Sequence, residues 1–292
     1  MNDKNAWDIY WQSGHKESCI SDSYDALSNT IRNIWIEAAK HLTHKVEILD
    51  LATGNGSVPR ILSKLCTNTK IIGVDRANVF PLNNEQNSNA IELIPNIDIT
   101  DLPFSKNRFD LVTSQFGFEY ADENLALPQV YKVLKEGGSF RFISHHSNSK
   151  IVTMNNRKLY EFKRLFETNG LIDTISQYTL GAATSSQLLE VKQDYMNGQF
   201  DKSNQISGQL IKAVDYFISQ APSDTLHTQA KDMIARIHAE QSRIEQMSKA
   251  SLDENDSKSF KALAKQLGFK DVASKVIEVD QNVIGWLLTG KR

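Results

Sequence analysis

The chain has 292 residues, 40% of them hydrophobic and 23% charged, with a formal net charge of −2. That is enough for one large domain or a domain and a half, and no run nears the ~18 apolar residues of a membrane span. Without a Lys/Arg block there is no electrostatic footprint for a nucleic acid, so the expected partner is a small molecule, with neither nucleic acid nor membrane.

The opening, MNDKNAWDIYWQSGHKESC, lacks a basic-then-apolar leader pattern, which gives a cytoplasmic expectation. Cys19 and Cys66, the only cysteines, form no CxxC pair and read as packed thiols. Trp7, Tyr10 and Trp11 stand at i, i+3 and i+4, one face of a helix. Leu27, Ile31, Ile34, Trp35 and Ala38 continue the helical spacing, with Ser21 or Ser23 as cap. Strands are then expected at 46–51, 70–74, 91–95, 109–115 and 139–145, with helices starting near Ser57, Pro81 and Asp122. Gly137 and Gly138 are expected to end a helix. Such alternation implies a parallel sheet covered on both faces.

After His146 the pattern turns helical, at 154–169, 186–196, 205–220 and 225–249. Leu226, Met233, Ile234, Ile237, Ile244 and Met247 form an apolar stripe on the last helix, read as core or lid packing. A polar break, SLDENDSK, precedes a helix at 257–267. Two strands, DVASKVIEV and NVIGWLLTG, then form an antiparallel hairpin around DQ.

The sharpest local signal is VEILDLATGNGSVPRIL, residues 46–62. A phosphate-binding P-loop needs a lysine that is absent here. A dinucleotide turn needs a third glycine where Pro59 stands. Asp50, at the strand end, would repel a pyrophosphate and suit a cation. S-adenosylmethionine (SAM) offers an ammonium and a sulfonium.

ILDLATGNG resembles motif I of class I SAM-dependent methyltransferases, with Ala52 in place of the first glycine. Alanine serves there if no positive φ is required. IIGVDRA ends in Asp75, followed by Arg76. NIDITDLPFSKNRFD resembles the family's GDAxxLPFxxxxFD, and VLKEGGSFRFISHH its VLKPGG strand, with Glu136 for proline. The resemblance covers 46–145 and resumes at 257–292. It implies a Rossmann-like α/β fold: a seven-stranded, mostly parallel sheet with an antiparallel C-terminal hairpin. The implied organisation is a helical arm at 1–45, a cofactor core at 46–150 and 257–292, and a helical insertion at 151–256 after strand five. The insertion would set substrate choice and offers a dimer surface.

The resemblance also implies SAM as cofactor and S-adenosylhomocysteine (SAH) as product. Its site would comprise Asp50, Ala52, Gly54, Asn55, Gly56, Arg76 and Gln115, with Asp75 accepting both ribose hydroxyls. Asp98 would take the adenine amino group, with Asp101 as its competitor, and the Ile99 N–H a ring nitrogen. The acceptor should lie beyond strands four and five. His145 and His146 are the candidate catalytic groups, able to accept a proton near neutrality. As neighbours on a strand they point to opposite faces, so one should face the pocket and the other pack. Neighbouring histidines do not converge on one ion, so no metal is expected. Phe116, Glu119, Tyr120 and Trp11 are candidate substrate contacts. The aromatics also read as core, and Glu119 as a cap or solvated acid.

TSQFGFEY lacks the [DNS]PP[YFW] of base-amino methylases and the Asp/Asn pair of metal-dependent catechol enzymes. Neither cysteine fits a cytosine C5 nucleophile. These exclusions leave O- or N-methylation of a small organic acceptor, ahead of C-methylation. The competing classes are a SAM- or SAH-binding regulator without turnover and an RNA or protein methyltransferase.

Overall fold

The computed structural model describes residues 3–15, 25–40, 42, 45–66, 68–79, 90–197 and 205–292. Cys19, Ser21, Ser23 and the helix expected from Pro81 lie outside them. The chain divides into two compact units, Met154–Glu245 and Asn2–Thr153 with Gln246–Arg292.

The larger unit holds the sheet. Its strands are β1 (Val46–Leu51), β2 (Thr69–Asp75), β3 (Ile91–Pro95), β4 (Phe109–Gln115), β5 (Leu134–His145), β6 (Lys270–Val279) and β7 (Asn282–Lys291). They lie in the order β3-β2-β1-β4-β5-β7-β6. The first five pair in parallel, while β7 runs antiparallel between β5 and β6. This is the mostly parallel sheet with a terminal hairpin that the sequence pattern implies.

Both faces are buried, so β1 carries apolar side chains toward each of them, with Ile48 beside Leu49, rather than a strict apolar–polar alternation. Leu49 and Leu51 face one core, packed with α4 (Glu123–Val133) and α10 (Glu254–Gln266) through Leu127, Val130 and Phe260. Ile48, Ile71 and Leu111 face the other. There α2 (Asp25–Ala39) and α3 (Ser57–Leu65) supply Ile31, Trp35, Val58 and Leu62. Burying side chains of this size contributes ~1.5–3 kcal/mol each before chain entropy.

Two local expectations differ from the structure. The glycine pair does not end a helix: α4 stops at Val133, and Gly137 and Gly138 fall inside β5. The pairing to β4 jumps there from Phe109↔Leu134 to Leu111↔Ser139. Gly137, at φ 77°, thus serves a strand irregularity rather than a helix end. The smaller unit also contains an unexpected helix, α6 (Leu171–Thr179), besides α7 (Ser185–Asn197) and α8 (Gln205–Ile218). It buries Leu171, Ile172, Ile175 and Tyr178, and Tyr178 donates its hydroxyl to the Gln220 carbonyl at 2.9 Å.

The strand order reverses between β1 and β4, which opens a crevice at the carboxyl ends of the strands. Gly73 of β2 lies opposite Asp50 of β1. A Cβ on Gly73 would come within 2.5 Å of Thr53 Oγ1 and 2.7 Å of Leu93. Gly73→Ala should therefore destabilise the protein by about 1–3 kcal/mol, the usual cost of overpacking, as read by urea denaturation.

Candidate active site

The turn after β1 is left-handed at three places: Ala52 (φ 50°), Gly54 (φ 54°) and Gly56 (φ 85°). The condition that Ala52 avoid positive φ is not met. An alanine held there costs roughly 1–2 kcal/mol. Its Cβ is accommodated because residue 117 is glycine: a Cβ on Gly117 would lie 2.5 Å from that of Ala52.

Asp50 is 1% exposed. Thr53 Oγ1 donates to its Oδ2 at 2.6 Å, and Thr113 Oγ1 to its Oδ1 at 2.7 Å. Burial pushes the Asp50 carboxyl up to about 7, against the hydroxyl donors, which pull it down. Asp75 accepts the Gly54 N–H on Oδ2 and the Ala77 N–H on Oδ1, both at 2.8 Å. These bonds tie the glycine turn to the end of β2. Burial raises Asp75 to about 6. Each of its oxygens retains a lone pair for a further donor.

These residues open onto a cavity of about 540 Å³. Asp50, Ala52, Asp75, Arg76, Asp98, Ile99 and Gln115 line it, together with Phe116, Glu119, Tyr120 and Trp11. Asp98 holds Thr100 through its N–H (2.9 Å) and hydroxyl (2.7 Å). Its competitor Asp101 is not in the wall. Gln115 accepts from Trp35 Nε1 at 2.7 Å, which anchors it to α2.

Gly54, Asn55 and Gly56 shape the turn without lining the cavity. Trp11, on α1 (Asp3–Gln12), lies flat enough on Gly54 that a Cβ there would approach its ring to 2.4 Å. Asn55 Nδ2 donates to the carbonyls of Trp11 (3.0 Å) and His15 (2.9 Å). Its side chain therefore holds the N-terminal arm on the turn.

Neither histidine is in the cavity wall, contrary to the alternation that would put one of them there. His145 is fully buried. Its backbone N–H donates to Glu119 Oε1, and its Nδ1 lies on that same oxygen, each at 2.7 Å. Its ring packs on Phe116, 4.6 Å between centroids, and meets Tyr120 edge-on at 6.0 Å. His146 stacks on Trp286 at 4.8 Å and accepts the Asn148 N–H on Nδ1. Burial lowers its pKa and keeps the imidazole neutral at pH 7.

Trp7 of the arm also lines the cavity, donates Nε1 to Gln246 Oε1 at 2.9 Å and meets Tyr120 edge-on at 5.5 Å. Sequence reasoning missed another part of the wall. Gln246, Lys249 and Ala250 come from the last turn of α9 (Asp224–Ala250). Their i, i+3, i+4 spacing was visible, but they sit at the end of a long amphipathic stripe. Thr53 was a further omission; its signal was a hydroxyl three residues after a buried acid. Among the described residues, no group of three or more His, Cys, Asp or Glu side chains is placed to hold a metal. No described helix is long and apolar enough to cross a membrane.

Residues 49–142 match the family model described as a methyltransferase domain. The chain is similar to the demethylmenaquinone methyltransferase of Thermotoga maritima, 31% identical over 127 residues, covering 41% of this chain and 55% of that protein. The Thermus thermophilus demethylmenaquinone methyltransferase is 36% identical over 95 residues, covering 31% and 43%. The ubiquinone/menaquinone biosynthesis C-methyltransferase UbiE of Rickettsia felis is 28% identical over 187 residues, covering 56% and 70%. The chain spans about half the length of the first curated relatives it matches. The matched residues run from Leu49 of β1 through most of β5 and include the acids of the cavity.

The buried acid sets a pH signature. Unfolded, Asp50 ionises near 3.8; folded, it holds its proton to about 7. Wild type therefore loses stability from this group as pH rises through that window, and the full cost stands above 7. Asp50→Asn keeps both threonine contacts without the charge. It should stabilise the ligand-free protein more at pH 8 than at pH 5, compared by urea denaturation at each pH.

Proposed function

We propose that this protein is a SAM-dependent methyltransferase acting on a small organic acceptor. The observation that carries the reading is the pair of buried carboxylates, Asp50 and Asp75, on either side of a glycine turn at the reversal of strand order. The wall as a whole favours a cation: Asp50, Asp75, Asp98, Glu119 and Asp122 stand against Arg76 and Lys249. A phosphate ligand would meet the wrong sign of charge. Bound SAM supplies the methyl group, already activated by the positive sulfur.

The protein's share of the chemistry is binding, orientation and exclusion of water. Asp50 would hold the ammonium, Asp75 the ribose hydroxyls through its two remaining lone pairs, and Asp98 with the Ile99 N–H the adenine edge. Trp7, Phe116 and Tyr120 offer flat apolar walls for the acceptor, and the arm residues Trp7 and Trp11 cover the cavity from the N-terminal side. A cavity of about 540 Å³ suits a small molecule rather than a nucleic-acid strand. O- or N-methylation fits the polar groups near this wall. The name of the Rickettsia felis relative favours a second reading, methylation at carbon.

The reading is tested by incubating the protein with methyl-labelled SAM and a panel of phenols, hydroquinones and amines, and locating the label by NMR. Label on oxygen or nitrogen supports the first reading, and label on carbon the second. SAM binding without transfer to any member would make the protein a regulator.

Two binding predictions accompany this assay. Asp75→Ala should weaken SAM by about 1.5–3 kcal/mol, the scale of hydrogen bonds to a charged group, as measured by calorimetry. Since Asp50 and Asp75 ionise at about 7 and about 6, SAM affinity should rise from pH 5.5 to 8. A protonated acid no longer attracts the ammonium. A flat profile would remove Asp50 from the ammonium site.

A further inference from the structure

Glu119 lines the cavity, yet its carboxylate is withdrawn from solvent. It sits in the 3₁₀ turn Phe118–Tyr120 that follows β4, across from the end of β5. One oxygen, Oε1, is fully engaged by His145 through the backbone N–H and the ring Nδ1. The other, Oε2, is buried with no hydrogen-bond partner among the described residues. A buried carboxylate oxygen left without a donor is destabilising. Such a cost is retained where a donor arrives with the substrate. The two aromatic neighbours of the His145 ring, Phe116 and Tyr120, both line the cavity. Glu119 thus stands in the cavity wall with His145 directly behind it.

We infer that Glu119 takes the proton of the acceptor's hydroxyl or amine on Oε2, and that His145 positions Glu119 rather than touching the acceptor. This rests on the methyltransferase reading above. As the acceptor O–H or N–H bond breaks, the proton joins Oε2, and the freed electron pair forms the bond to the methyl carbon. The C–S pair leaves with sulfur, and Glu119 returns its proton to water after the product departs. His145 donates its backbone N–H to Oε1 and places its ring Nδ1 on the same atom, which fixes Oε2 as the oxygen that remains open. A histidine on this strand therefore acts one residue removed from the reaction.

The test needs no knowledge of the natural acceptor. SAH-loaded protein is titrated with 4-nitrophenol, whose ionisation is read from its own absorbance, and SAH affinity is measured in parallel by calorimetry. A carboxylate accepting the phenol O–H favours the neutral phenol. The bound probe should therefore ionise about one pH unit above the free probe, a tenfold shift. Glu119→Gln, which preserves size and the Oε1 contacts, should remove that shift. His145→Ala should reduce it, and His145→Asn, whose amide N–H can replace Nδ1, should restore it. An unshifted probe in wild type, failure of the probe to bind, or the same shift in Glu119→Gln would overturn the inference. Failure of SAH itself to bind would instead count against the methyltransferase reading.

Discussion

The site depends on one constraint: a carboxylate, Asp50, is held almost out of water where the parallel sheet reverses order. Strand register puts it there. Thr113 on the neighbouring strand and Thr53 in the turn give each of its oxygens a hydroxyl donor. Two neutral donors do not offset the loss of water, which is why the carboxyl remains raised to about 7. In the proposed reading, a cation entering the cavity would supply the missing partner to this destabilised acid.

The glycine turn is shaped from both sides. Asp75 holds it from within through the Gly54 N–H. From outside, the arm packs Trp11 against Gly54 and is retained by Asn55. A side chain on residue 54 would displace the tryptophan, so this glycine serves contact with the protein's own arm as much as backbone conformation. The arm also reaches the far wall, because Trp7 bonds Gln246 and packs on Tyr120. Glycine turn, aromatic wall and the last turn of α9 are therefore linked through one short helix.

Much of this was legible in the sequence because it lies in short, ordered motifs. The strands of the sheet, Asp50, Asp75 and the glycine turn are each fixed by a local pattern whose period or spacing has a physical meaning. What was not legible depends on contacts between distant segments. Asn55 stands inside the glycine motif, yet its side chain answers to carbonyls 40 or more positions earlier. His145 looked like a free base because sequence does not show that Glu119, 26 positions away, takes its ring nitrogen. Strand alternation alone predicted one pocket-facing histidine; the turn at Phe118–Tyr120 and the Trp286 ring cover both. α6 was lost for a simpler reason. Gly170 separates it from the preceding helix, and its Leu171, Ile172, Ile175, Tyr178 pattern is only nine residues long.

The proposed function requires this acid-lined crevice to bind an adenosyl-sulfur compound and not a phosphate. Titration calorimetry of the purified chain at pH 8 with SAM, SAH, NAD and ATP in turn tests it most directly. Saturable heat with SAM and SAH, and none with NAD or ATP, is the predicted result. Saturable heat with NAD or ATP, and none with either sulfur nucleoside, would contradict it.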